Sequence, residues 1–205
     1  MAEGYADFVS IIVLALGRST RSGQNQMLET IGERTMIGHV VYECVTSKAK
    51  QVIVVLGPDA EKVGSALKDY RCEIVFDEDF EKGQSYSIRK GLAKVKEGTD
   101  AVMVIPGNIS LVDRARINTL IRKYSTCYAP IVSKGYYGGS LRPILFDKNL
   151  LGELSNISEE TGGLKSLITK YGPKRQFVKI SEASLLRLGK RRERLKARLG
   201  LSKRS

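Results

Sequence analysis

The sequence has no tryptophan, a single histidine and three cysteines in 205 residues. Cys44, Cys72 and Cys127 are far apart, form no CxxC pair and have only His39 as a potential companion ligand. A structural zinc site needs four ligands at characteristic spacing, and a disulfide framework needs a dense, even set of cysteines, so neither is expected. The thiols read as three small buried hydrophobes. Long apolar runs are also missing. The longest, residues 8–16, is interrupted by Ser10 and falls well short of the roughly 20 residues that span a bilayer. Glu3 and Asp7 precede it where a secretory leader would carry basic residues, so no leader is expected and the cytoplasm is the default location. There is no internal repeat and no low-complexity linker.

What is present is globular in composition, with 42% hydrophobic and 27% charged residues and a mean hydropathy of −0.18. The length suits one α/β domain with a buried core. The net charge of +12 is unevenly spread: residues 185–205 hold nine Lys/Arg against Glu193 alone and carry +8 of it. The expected division is therefore a domain over 1–184 and a basic C-terminal helix or tail over 185–205. In that tail Leu185, Leu188, Leu195 and Leu199 fall near one helical face. It reads either as a docked helix with a solvated tip or as a site for nucleic acid or an acidic partner through 187–205. It contains no aromatic residue on which bases stack, which weakens single-strand binding. No membrane partner is expected.

Hydrophobic patterning predicts alternating strands and helices. Continuous β-rich runs at 8–16, 51–57 (QVIVVLG), 72–76 and 101–106 (AVMVIP) read as buried strands. Helical spacing marks 34–47, a helix capped by Asp59 and running to about Tyr70, one following the loop within 83–98, one from Asp113 to about Tyr124, and a mostly helical 155–171. Residues 129–133 and 143–146 read as strands flanking a glycine-rich turn at 135–140, which is either a lid or a hairpin. A short strand at 176–180 and a basic helix at 182–199 complete the chain. The pattern implies a Rossmann-like three-layer α/β sandwich with a mostly parallel sheet. Ligands of such sheets bind beyond the carboxyl ends of the strands, here among the loops after Leu16, Gly57 and Pro106.

The first of these loops, 17–26, is rich in polar groups. Gly17 and Gly23 let the backbone turn and approach a ligand, Ser19, Thr20 and Ser22 add hydroxyls, and Arg18 and Arg21 add permanent charge suited to phosphate oxygens. It is neither GxGxxG nor GxxxxGK[ST]. A polyphosphate cradle and an ordinary strand-to-helix turn with solvated arginines both fit this composition.

Residues 14–28, LALGRSTRSGQNQML, resemble the L-A-A-G-x-S-x-R-M-G-x-x-K-L-L signature of the MobA-like nucleotidyltransferases, especially the molybdenum cofactor cytidylyltransferase branch. The resemblance continues in order over about 170 residues. Gly32 and 37–41 fit the segment after the loop, 52–57 the next strand, and 77–92 (DEDFEKGQSYSIRKGL) the family's N-P-x-W-x-x-G-M-x-x-S-L-x-x-G-L. Residues 107–112 sit at G-D-M-P-x-V, 129–132 at A-P-x-V, 142–146 at G-H-P-V-L-F, and 160–165 loosely at G-D-x-G-A-R. The resemblance implies a nucleotide-diphospho-sugar transferase-like fold. It also implies binding of a nucleoside triphosphate such as CTP or GTP with Mg²⁺, and transfer of the nucleotidyl group to molybdopterin or a related phosphate acceptor with release of pyrophosphate. Carried over by position, Leu14, Ala15, Gly17, Arg18, Ser19, Arg21 and Gly23 hold the nucleotide. Gly57 and Asp77, Gly83 and Ser87 surround base and ribose, and Gly83, Ser87 and Arg89 shape the acceptor's entrance.

The catalytic positions by resemblance are Arg21, Gln26 and Asn108, and the last two depart from the family. Gln26 stands where the family has Lys, Asn108 where it has the metal-binding Asp, and Ser181 where a late carboxylate is found. Mg²⁺ prefers hard anionic oxygens, and phosphoryl-type transfer depends on neutralising phosphate charge. Asn108 keeps a carbonyl oxygen without charge. Asp77, Glu78, Asp79, Glu81 and Glu160 are the carboxylates available to substitute, while Asp113 reads as a helix cap. Two readings follow: an active nucleotidyltransferase, and a nucleotide-binding homologue of weak or no activity.

Overall fold

The computed structural model describes residues 8–17, 25–109, 112–134 and 143–178. In chain order the strands are β1 (Val9–Ala15), β2 (Thr30–Ile31), β3 (Arg34–Thr35), β4 (Gln51–Leu56), β5 (Glu73–Phe76), β6 (Ala101–Pro106), β7 (Ile131–Lys134), β8 (Ile144–Asp147) and β9 (Gln176–Val178). The helices are α1 (Met36–Val45), α2 (Ala60–Ser65), α3 (Gln84–Leu92), α4 (Arg114–Cys127), α5 (Leu151–Ser155) and α6 (Gly163–Lys170).

Every residue of β1 is buried, as a central strand covered on both faces requires. It lies parallel between β4 and β6, with Val13 opposite both Val54 and Ile105. The sheet runs β5-β4-β1-β6-β8-β7-β9, and β8 alone is antiparallel to its neighbours. Alternate side chains feed two cores. Ile11, Val13, Val54 and Ile105 meet Ile37, Val40, Val41 and Leu120 of α1 and α4 on one face. Ile12, Val55 and Val104 meet Ile88, Leu154 and Leu167 of α3, α5 and α6 on the other. The mostly parallel, three-layer α/β fold expected from the sequence is therefore what the chain adopts. No helix among the described residues is long and apolar enough to cross a membrane.

Strand direction puts the carboxyl ends of β1, β4, β5 and β6 on one rim of the sheet. Since β8 is reversed, β7 ends and β8 begins on that rim, and β9, parallel to β7, also ends there.

Several elements differ from the sequence expectation. Residues 30–35 form a small hairpin, so Arg34 lies in β3, and α1 begins at Met36 with the Thr35 hydroxyl accepting from the Gly38 amide at 3.1 Å. Asp59 makes no side-chain cap, and α2 stops at Ser65 because the next turn tightens to bonds such as Leu67 N–H to Gly64 O. Residues 155–171 are not one helix. The carboxyl end of α5 and the start of α6 are separated at Gly162 and Gly163, whose φ angles of 85° and 55° are incompatible with a continuing helix. Asp113 does cap α4, accepting from the Arg116 amide at 2.8 Å. Of the three thiols only Cys44 is fully buried; Cys72 and Cys127 are half-buried. The strand expected at 176–180 is described to Val178. The basic helix expected at 182–199 and the glycine-rich turn at 135–140 lie outside the described residues.

Candidate functional site

Three strand ends converge on the rim around Leu16 and Gly17. The Gly57 amide donates to the Ala15 carbonyl at 3.1 Å, and the Gly107 amide donates to the Leu14 carbonyl at 2.8 Å. A Cβ on Gly57 would lie 3.1 Å from Leu16 Cα; one on Gly107 would lie 2.8 Å from Ile37 Cδ1 and 3.1 Å from Leu14 O. Cβ contacts this short would force the neighbouring atoms to shift, so glycine on both flanks eases the gathering of the loops after β1, β4 and β6. Leu14 and Ala15 are buried. With side chains in the core and carbonyls bonded sideways, they shape the rim through backbone.

The described chain resumes at Asn25, which the sequence reading did not single out. Its side chain is 5% exposed. The amide nitrogen donates to the Gly17 carbonyl at 3.1 Å and to Asp59 Oδ2 at 2.7 Å, while Oδ1 accepts from the Met27 amide at 2.9 Å. Asn25 thus joins the residues on either side of the glycine-arginine loop and pins them to the loop after β4. The following 3₁₀ turn, Gln26–Leu28, buries Met27 beside Gly17 and leaves Gln26 exposed. Arg18, Ser19, Arg21 and Gly23 lie outside the described residues, as does Ser181.

On the neighbouring rim loop Asp77 follows β5 directly. It is fully buried, as is Ser87 in the first turn of α3. The Ser87 hydroxyl donates to Asp77 Oδ2 at 2.5 Å, and the Asp79 amide donates to Oδ1 at 3.0 Å. These side chains are engaged with each other and with backbone, so they fix the path of the 77–87 segment. Gly83 ends that loop at φ 109° as the N-cap of α3 and has no side chain with which to cap. The acceptor comes from 74 residues away: Glu159 Oε1 receives the Ser85 amide at 2.8 Å. A Cβ on Gly83 would sit 2.4 Å from Glu159 Cγ. The capping glutamate was invisible to sequence reasoning, which named Glu160 beside it; the only trace in the sequence is a helix start without a capping residue.

Asn108 is exposed in the turn after β6, next to Gly107. Asp79 is ion-paired with Lys82 at 2.9 Å, a contact that lowers the pKa of its carboxyl and raises that of the lysine. On α3 the Arg89 guanidinium lies over the Tyr86 ring, 4.4 Å from its centroid. Glu78, Glu81 and Glu160 are exposed. Among the described residues no group of three or more Asp, Glu, His or Cys side chains is placed to hold a metal ion. What the described part of the rim offers chemically is backbone, glycine-lined space, the neutral Asn108 amide and the Asp59 carboxylate held by Asn25.

The profile of the MobA-like NTP transferase domain matches residues 11–175. The bifunctional protein GlmU of Agrobacterium fabrum is 30% identical over 155 residues, which is 73% of this chain and 33% of that protein. The chain spans only 25% to 39% of the length of the GlmU proteins it matches. Among solved structures, Rv0371c from Mycobacterium tuberculosis H37Rv has a TM-score of 0.70 at 24% identity, covering 86% of this chain and 90% of its own. Its complex with manganese has a TM-score of 0.67 at 22% identity, covering 85% and 90%. At these identities the structural likeness shows a shared fold.

Proposed function

The chain belongs to the MobA-like NTP transferase family, and from that membership we propose that it binds a nucleoside triphosphate over the carboxyl ends of β1, β4, β5 and β6. The observation that carries this reading is the glycine-flanked convergence at Leu16–Gly17, where the chain after β4 and after β6 comes so close to the end of β1 that a Cβ on Gly57 or Gly107 would be crowded. The triphosphate lies against the loop that starts at Gly17, with Arg18 and Arg21 on its oxygens and Ser19 adding a donor. Gly57 and the 77–87 segment border base and ribose. In this role Asp77 and Ser87 act by holding the loop, since each side chain is spent on the other.

The reaction is nucleotidyl transfer. An acceptor phosphate oxygen attacks the α-phosphorus, the bond from that phosphorus to the bridging oxygen breaks, and pyrophosphate leaves. Molybdopterin or a related phosphate acceptor fits the family resemblance. The donor set tests the metal: among the described residues the turn after β6 offers only the neutral Asn108 oxygen, and the rim carboxylates Asp59, Asp77 and Asp79 are engaged with Asn25, Ser87 and Lys82. A divalent ion, Mg²⁺ or the Mn²⁺ found with the Mycobacterium neighbour, therefore has to be held chiefly by the phosphates it accompanies. It would supply charge neutralisation there, which Gln26 and Asn108 do not.

That deficit supports a second reading: a protein that holds a nucleotide or cofactor and transfers it slowly or not at all. Pyrophosphate release measured with CTP, GTP or ATP, Mg²⁺ or Mn²⁺ and molybdopterin separates the two. The enzyme reading expects release above background with at least one triphosphate, and none with any of them sinks it. The holder reading expects Gln26→Lys with Asn108→Asp to raise release by on the order of 10²-fold or more, each ~1.4 kcal/mol of restored stabilisation being tenfold. Ordinary turnover by the unaltered protein sinks the holder.

A further inference from the structure

The sheet ends on one side at β5, and nothing among the described residues pairs with its outer edge. Glu73 to Phe76 run in register with Ile53 to Leu56, and the Asp77 amide donates to the Leu56 carbonyl at 3.0 Å. Main-chain groups alternate in direction along a strand, so those of Glu73, Val75 and Asp77 serve β4. The N–H and C=O groups of Ile74 and Phe76 therefore point away from the sheet. The same two residues carry large apolar side chains that are 45% and 50% exposed. Lying opposite Val54 and Leu56, they share the face covered by α1 and α4. An open edge strand is usually blunted by Lys or Pro, and β5, Glu-Ile-Val-Phe, has neither.

We infer that this edge is the interface with a second copy of the chain, the two β5 strands pairing antiparallel about a two-fold axis through Val75. The arrangement is self-complementary. Ile74 of each copy stands opposite Phe76 of the other, and each such pair exchanges both its main-chain hydrogen bonds. The side chains of these pairs meet on one face of the sheet as apolar cross-strand neighbours. Charge selects the same direction. Lys68 and Arg71 precede the strand with Asp69 between them, while Glu78, Asp79 and Glu81 follow it ahead of Lys82. Antiparallel pairing sets the basic entry of each copy against the acidic exit of the other, with Arg71 opposite Asp79. A parallel mate would set like charge against like. Asp77, which falls opposite Glu73, is turned inward onto Ser87. A two-fold contact also closes at two copies, whereas a head-to-tail one continues. The sheet then runs from the seven strands of one copy into those of the other, and the two rims open in opposite directions. None of this depends on what the rim binds. The patch is small, so association is weak and concentration-dependent, with a Kd on the order of 10 μM.

The test is sedimentation equilibrium of the full chain from about 1 μM to about 1 mM. The mass is expected to rise from 22.7 kDa towards twice that value and to stop there. Ile74→Lys sets ammonium groups beside the axis, and Ile74→Pro deletes an outward N–H that β4 does not use. Each is expected to weaken dimerisation about tenfold or more. Arg71→Asp is expected to weaken it about threefold at low salt, and Arg71→Asp with Asp79→Arg to recover it. Arg71 is exposed, so this pair keeps the test open should a change at Ile74 prevent folding. A single species of 22.7 kDa at every concentration overturns the inference. So does a dimer that the Ile74 variants leave unchanged, a mass that climbs past two copies, or a double change that recovers nothing.

Discussion

Single side chains in this molecule do their work by satisfying partners far away in sequence. Tyr124 on α4 is 1% exposed, and its hydroxyl lies 2.6 Å from Asp147 Oδ2 and 2.8 Å from the Asp100 carbonyl. Burial, with the Asp147 carboxylate beside it, pushes the phenol well above the usual tyrosine range. The neutral form is the one the fold favours. Its contribution to stability is therefore complete below the unfolded pKa of about 10 and declines as pH rises beyond it towards the folded value. Tyr124→Phe is expected to lose about 1.5–3 kcal/mol at neutral pH, the worth of a hydrogen bond to a charged group. In urea unfolding between pH 8 and 11, the variant should also show a flatter alkaline decline than the parent. Equal slopes would mean that this phenol titrates alike in both states. Cys44 follows the same logic: full burial raises its thiol far from the thiolate form that reacts.

At the scale of elements, the start of α3 shows how a helix is completed by a distant part of the chain. Gly83→Ala places a Cβ 2.4 Å from Glu159 Cγ in a backbone with φ 109°. A loss of about 1–3 kcal/mol is expected from that strain in a urea titration. Adding Glu159→Ala should recover the steric share, whereas Glu159→Ala alone should speed hydrogen exchange at the Ser85 amide. Such elements mark the limit of sequence reading. β1, β4 and β6 were legible because strands covered on both faces leave unbroken apolar runs, and Asp113 was legible because a cap lies beside its helix. The break between α5 and α6 was written locally, in Thr161-Gly162-Gly163, but masked by apolar spacing on either side. Glu159 and Asn25 were not legible, since their partners lie 74 and 34 residues away. For the site, the glycines at 57 and 107 could be named in advance; the mutual burial of Asp77 and Ser87, which turns candidate contacts into scaffolding, could not.

For the molecule as a whole, ligand and fold are linked. A triphosphate that binds only the native chain stabilises it by about 2.7 kcal/mol at a hundredfold excess over Kd. For a chain of this size, that corresponds to a Tm rise of about 5–10 °C. Differential scanning fluorimetry with each triphosphate, with and without Mg²⁺, should show such a rise for the preferred base. A uniform absence of shift across all of them would count against a nucleotide site anywhere on the fold. The direction of the strands has a practical corollary as well. The described chain enters β1 at Val9 on the edge opposite the rim and leaves β9 at Val178 on the rim itself, four strands away from β1, or about 19 Å at the usual interstrand spacing. A tether joined directly ahead of Val9 would therefore start from the edge of the sheet opposite the glycine-lined opening, whereas one joined directly after Val178 would start from the same rim as that opening.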